Sequence, residues 1–199
     1  MLSIFISMAV FAFIGAVTPG PVNIIATSSG ASYGFRQTFP YVLGATISYT
    51  LIVFLMIAGL SNLFLLIPEI AIIMQYLGAG FLLYMAYKIA TSPAVEQALT
   101  NKPPKSISFI QGGLIQSLNP KAWLVSMSGV SLFVSVNSPV LVYSMAFCII
   151  SFFACLAGIS IWAASGQFIS QFLSGYKRQI GFNIVMGLLL SSSVIFMFI

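Results

Sequence analysis

Residues 17–30 read VTPGPVNIIATSSG, in the middle of an otherwise apolar segment near the N-terminus. Two prolines around a glycine break a helix there, because proline lacks the N–H and its ring clashes with the preceding turn. A chain this hydrophobic has placed its worst helix breaker, Pro19-Gly20-Pro21, about halfway through its first hydrophobic segment. What that break is for decides the reading of the whole chain.

Of 199 residues, 60% are hydrophobic and only 5% are charged. A soluble domain carries about 25% charged residues, so this chain cannot cover itself with a solvated surface. It reads as an integral membrane protein. Its apolar stretches are continuous for about 20 residues rather than alternating, which selects helices over a β-barrel. There is no His, and the acidic residues are Glu69 and Glu96 alone. Ser-His and Cys-His nucleophile systems and the usual zinc sites are therefore excluded, so neither an enzyme nor a cofactor is expected. The net charge of +5 carries no nucleic-acid implication, since the basic residues sit mainly in short loops between apolar segments. MLSIFISMAVFAFIGAV lacks the basic n-region of a secretory signal peptide, and it is expected to stay in the mature protein.

Six hydrophobic segments can be drawn, at about 3–33, 39–66, 70–90, 108–134, 139–165 and 179–199. Loops one, three and five, with the adjoining segment ends, hold Arg36, Lys88, Lys102, Lys105, Lys177 and Arg178, and loops two and four hold no Lys or Arg. The positive-inside rule then makes the odd loops cytoplasmic and puts both termini outside. The expected location is a bacterial-type inner membrane, crossed several times.

An offset of 99 residues lays PVNIIATSSGAS (21–32) over PKAWLVSMSGVS (120–131), matching Pro21 to Pro120, Ser29 to Ser128, Gly30 to Gly129 and Ser32 to Ser131. Each copy opens a three-segment half, and each interrupts its segment near the middle. An odd number of crossings per half makes the two halves run in opposite senses. The expected fold is all-α: six transmembrane helices as a 3+3 inverted repeat, with broken first and fourth helices. One transporter domain spans 1–199, with repeat one at 1–92, a cytoplasmic linker at 93–107 and repeat two at 108–199. Taken singly, either proline is a kink that membrane helices tolerate. As a matched pair, such interruptions point to a substrate site near the midplane.

Residues 3–17 as a helix reach only about 22 Å at 1.5 Å per residue, short of the ~30 Å hydrocarbon core. The helix stops inside the membrane or just across it, and a second one restarts near Pro21, where proline suits the first turn. In the second copy Asn119 is a good N-cap ahead of Pro120. Each new N-terminus offers unpaired N–H groups and partial positive charge to a carboxylate. The preceding C-terminal ends, at Val17-Thr18 and Ser117-Leu118, offer free carbonyls to an ammonium. A small zwitterion satisfies both.

These residues also resemble a known pattern. TPGP followed one residue on by Asn23, then a Ser/Gly-rich half-helix ending in YGFRQ, resembles the first motif of the LysE/RhtB amino-acid exporter family. Phe109, Gly112, Asn119, Pro120, Lys121 and Ala122 resemble its second. GFRQ and YKIATSP are most similar to its cysteine/O-acetylserine exporter branch. The resemblance implies efflux of amino acids, of cysteine/O-acetylserine or threonine/homoserine type, with no cofactor and driven by the proton gradient as antiport. One departure is Val22, where the family often has a polar residue.

The candidate substrate-binding residues are Thr18, Pro19, Gly20, Pro21, Asn23, Asn119, Pro120 and Lys121. Lys121 is the one basic residue outside the loops. Near midplane it would cost ~2.5–3.5 kcal/mol, so it should face a cavity, pair with a substrate carboxylate or release its proton during transport; the bland alternative is snorkelling to the interface. Asn23 and Asn119 are substrate ligands or structural caps. Ser28, Ser29, Ser126 and Ser128, with Gly30-x-x-x-Gly34 and Ala154-x-x-x-Gly158, read first as helix-packing residues. The aromatics read as lipid-facing or interfacial, with no role assigned. Cys148 and Cys155, seven residues and about 10.5 Å apart on a helix, are too distant for a disulfide. Ser126-Met127-Ser128-Gly129 faintly suggests a serine hydrolase, but Lys121 is the only base at hand. The expected partners are a small neutral amino acid, protons and the lipid bilayer, with a homodimer allowed by the small-residue faces. Neutral follows because no acid lies within a segment to receive a second positive charge. The competing class is a passive channel or a structural membrane subunit.

Overall fold

The computed structural model describes residues 1–60, 66–92, 107–173 and 175–195. Most of the expected linker, with Glu96, Lys102 and Lys105, lies outside them, as do 61–65 and 196–199 at the ends of the second and sixth segments.

The first segment breaks where its prolines require. Helix α1 (Leu2–Val17) and helix α2 (Pro21–Tyr33) meet at a 61° bend. Pro21 takes the first helical position of α2, where its missing N–H costs nothing. Helix α3 (Phe35–Leu55) follows after Gly34 alone, whose φ of 82° is open to glycine and strained for other residues. Arg36 and Gln37, expected in a loop, therefore begin a helix, and Gly34 serves the turn rather than helix packing. A π turn, Met56–Leu60, continues α3. Helix α4 (Pro68–Ala90) again starts on proline, with Glu69 exposed in its first turn.

The fourth segment breaks as the first does, into α5 (Phe109–Ser117) and α6 (Pro120–Gly129), with a further π turn at Val130–Val134. A capping box between Ser108 and Gln111 starts α5 by pairing two N–H groups the helix leaves open. Helix α7 (Val140–Ser170) is longer than the expected 139–165, and helix α8 (Tyr176–Ile195) starts early enough to include Lys177 and Arg178.

All the described elements are helical, with no strand among the described residues. Phe35–Leu60, Val140–Ser170 and Tyr176–Ile195 are each long and apolar enough to cross a bilayer, and α1 with α2 qualifies as one bent unit. Large apolar side chains face outward, among them Leu141, Ile149 and Phe153 along α7. Lipid satisfies such a surface, so helix association has to come from close packing and internal polar contacts.

Glycine supplies the close packing. A Cβ on Gly30 of α2 would run into the Ala163 carbonyl of α7, and one on Gly166 of α7 into the Thr27 carbonyl of α2. Gly44 of α3 and Gly112 of α5 are reciprocal in the same way, against Phe109 and Tyr41. These two backbone-to-backbone crossings bring both broken segments against the bundle centre. Gly30 and Gly158 are thus packing glycines, as their spacing suggested.

Gly166→Ala is expected to lower the thermal unfolding midpoint in detergent, by the equivalent of about 1–3 kcal/mol of overpacking. Gly80→Ala in α4, where nothing lies within 4 Å of the new methyl, should leave the midpoint unchanged or raise it. Equal effects at both sites would remove the close-crossing explanation.

Candidate substrate site at two helix breaks

A helix end leaves its last carbonyls without intrahelical partners, and within hydrocarbon no water can take their place. At the end of α1 the carbonyls of Ala16, Val17, Thr18 and Pro19 are met by side chains from beyond the helix. Asn23 Nδ2 donates to Ala16 O at 2.8 Å and to Thr18 O at 3.0 Å. Trp162 Nε1, from α7, donates to Val17 O at 2.8 Å. Lys121 Nζ, from α6, donates to Thr18 O at 2.6 Å and lies 3.5 Å from Pro19 O. Three separate parts of the sequence therefore converge on four consecutive carbonyls.

The second break is closed differently. Asn119 Oδ1 accepts from Lys121 N–H at 3.2 Å, capping α6, and Asn119 Nδ2 faces Gln116 Oε1 at 3.4 Å. Trp123 Nε1 donates to Ser117 O at 2.7 Å, and Ser117 Oγ reaches Ser48 Oγ of α3 at 2.8 Å. The two breaks adjoin each other, because the Lys121 side chain leaves one and ends on the other.

Between them lies a pocket of about 40 Å³ lined by Gly20, Asn23, Tyr49, Asn119, Lys121 and Cys155, among others. One water needs roughly 10–15 Å³ on this measure, so the pocket as it stands admits a few waters. Of the eight sequence candidates, Gly20, Asn23, Asn119 and Lys121 line it. Thr18 and Pro19 contribute carbonyls rather than side chains, and the Thr18 hydroxyl turns back to Ile14 O. Pro21 and Pro120 sit at the first positions of α2 and α6. Lys121 is half-buried and points into the pocket, not out to an interface.

Two expectations change. The carbonyls at Val17-Thr18 and Ser117 are occupied by protein donors, not free. The aromatics are not only lipid-facing: Trp162 and Trp123 hold helix-break carbonyls, Tyr49 lines the pocket, and the buried Tyr41 hydroxyl donates to Val22 O at 2.9 Å. A usable signal was present, since the chain has just two Trp, both inside apolar segments, where a buried indole N–H needs an acceptor. Among the serines, Ser126 bonds its own helix at Ala122 O, Ser29 pairs with Thr38, and Ser128 is exposed. Cys148 and Cys155 are both free thiols. A second cavity, of about 420 Å³, runs beside α2 and is lined by Ser28, Ser29 and Ser32 with Tyr84 and Lys88 of α4 and Gln111 of α5.

Trp162→Phe keeps the ring but leaves the Val17 carbonyl unpaired. It is expected to destabilise the protein by about 1–3 kcal/mol, read as a lower thermal midpoint in detergent. An unchanged midpoint would mean that the indole bond holds nothing.

The profile described as LysE type translocator matches residues 13–197. The chain is 35% identical over 181 residues, covering 90% of each protein, to a cysteine/O-acetylserine efflux protein of Escherichia coli. The same identity and coverage hold for the protein so named in Shigella flexneri. No solved structure matches. With nearly its whole length covered by that profile and those relatives, the chain belongs to the LysE family of membrane translocators.

Proposed function

We propose that this chain is a secondary exporter of small neutral amino acids, with cysteine and O-acetylserine as first candidates, and that it binds them between the two helix breaks. The observation that carries the reading is the Lys121 ammonium on the Thr18 carbonyl at 2.6 Å. An amino acid's α-ammonium has the same three-donor chemistry as a lysine ammonium. Lys121 therefore acts as a tethered occupant of the ammonium position. When substrate arrives, its ammonium takes the Thr18 and Pro19 carbonyls. The released Lys121 pairs with its carboxylate, beside the N-terminal ends of α2 and α6. Withdrawal of the lysine chain also supplies room, which a 40 Å³ pocket needs before it can hold an amino acid.

The charge balance favours a neutral substrate. A zwitterion adds no net charge, whereas a cationic side chain would bring a second positive charge into a pocket with no acid among its described lining residues. Coupling to a proton gradient is part of the proposal, with Lys121, Tyr49 or the substrate itself as the group that moves the proton. Six crossings are read as α1 with α2, α3, α4, α5 with α6, α7 and α8, in two inverted halves of one domain. Arg36, Lys88, Lys177 and Arg178 mark the cytoplasmic side under the positive-inside rule. On that orientation the 420 Å³ cavity beside α2, carrying Lys88, is the cytoplasmic access vestibule.

The test is uptake of labelled cysteine, O-acetylserine, threonine, homoserine and lysine into inverted membrane vesicles, with and without an imposed proton gradient. Saturable, gradient-dependent uptake of a neutral member is expected. Lys121→Met should reduce it roughly tenfold or more, the value of a charge-assisted hydrogen bond of about 1.5–3 kcal/mol, and Pro120→Ala should reduce it as well. Uptake indifferent to the gradient and to both substitutions would overturn the reading.

A further inference from the structure

Two buried side-chain polar atoms have no hydrogen-bond partner among the described residues: Thr46 Oγ1 and Ser151 Oγ. Both residues are 0% exposed. Serine and threonine in a helix ordinarily return their hydroxyl to the carbonyl four residues back. Their neighbours in this bundle do so: Thr27 to Asn23 O, Thr38 to Gly34 O, Thr50 to Thr46 O, Ser117 to Gly113 O and Ser126 to Ala122 O. Thr46 and Ser151 do not, although an unmet hydroxyl is costly where no water reaches it.

Their position gives the exception a meaning. Thr46 lies on α3 three residues before Tyr49, and Ser151 on α7 four residues before Cys155, so each shares a helix face with a pocket-lining residue. Helices α3 and α7 pack directly on each other. The Thr46 hydroxyl lies close to the Cys155 sulfur, in a placement that falls short of normal hydrogen-bond geometry. The cysteine side chain has one heavy atom beyond Cβ and a single χ angle, so Cys155 is a thin part of the pocket lining on the side of α7 that carries Ser151. The carbonyls and helix N-termini of the breaks are suited to the ammonium and carboxylate that every amino acid carries. They do not distinguish one side chain from another.

We propose that Thr46 and Ser151 form the side-chain subsite of the transporter, hydrogen-bonding a thiol, hydroxyl or ester on the substrate's β-carbon behind Cys155. This rests on the exporter reading above. Selection works by leaving both hydroxyls unpaired when the incoming side chain is apolar, which discriminates more strongly than shape alone. The class selected is a neutral α-amino acid with a short polar side chain.

The experiment uses purified full-length protein in proteoliposomes, under reductant, with uptake of labelled O-acetylserine as the signal. Unlabelled cysteine and 2-aminobutyrate, which differ by a thiol against a methyl, are the competitors. Wild type is expected to need about tenfold more 2-aminobutyrate than cysteine for half-inhibition. Thr46→Val and Ser151→Ala should each shrink that ratio about threefold, consistent with one hydrogen bond apiece. Thr46→Ser should keep it. Ratios unchanged in both variants, with O-acetylserine still transported, would overturn the subsite alone and leave the hydroxyls to water or packing. No amino-acid uptake by wild type would overturn the exporter reading and the subsite with it. Should Thr46→Val lose its monodisperse elution profile, Ser151→Ala and Thr46→Ser decide the question.

Discussion

A helix that ends inside a bundle leaves backbone carbonyls without intrahelical partners, and the bundle meets that demand at Ala16, Val17, Thr18 and Pro19. Asn23 reaches back from the restarted helix, Trp162 comes from α7, and Lys121 crosses from the other break. Each donor ties a different helix to the same four peptide units. Removing the break would make the donors unnecessary, and without the donors the break would be untenable in a membrane.

That arrangement explains why the glycine crossings fall where they do. Trp162 can reach Val17 only if α7 lies tightly along α1 and α2, and the Gly30–Gly166 contact with α2 permits that approach. The Gly44–Gly112 contact does the same for α3 and α5, bringing Ser48 onto Ser117 beside the second break. Close packing and polar satisfaction are therefore one constraint met twice. The chemistry of the proposed site follows from it, since groups that hold a broken helix together are the same kinds of group that hold a zwitterion.

Both breaks were legible because proline and glycine act locally: Pro21 and Pro120 begin helices wherever the rest of the chain goes. Lys121 was legible as an anomaly, a charge flanked by apolar residues on both sides. The helix boundaries were less so. Gly34 makes so short a turn that Arg36 is already helical, and α7 runs five residues past its expected end to Ser170. The tryptophans were misread because their apolar rings match a lipid-facing surface, while their roles depend on one N–H each and an acceptor many residues distant.

The sequence by itself determined that the chain is helical, belongs in a membrane, breaks its first and fourth segments, and keeps a cation beside the second break. Those properties follow from composition, from the backbone chemistry of proline and glycine, and from the cost of charge in hydrocarbon. Tertiary structure alone decided that the two breaks adjoin, that Lys121 ends on the Thr18 carbonyl 103 positions away, and that the Thr46 and Ser151 hydroxyls are left without partners among the described residues. Hydrogen bonds between distant segments depend on which helix faces meet, and that is settled by packing across the whole bundle, which no local pattern encodes.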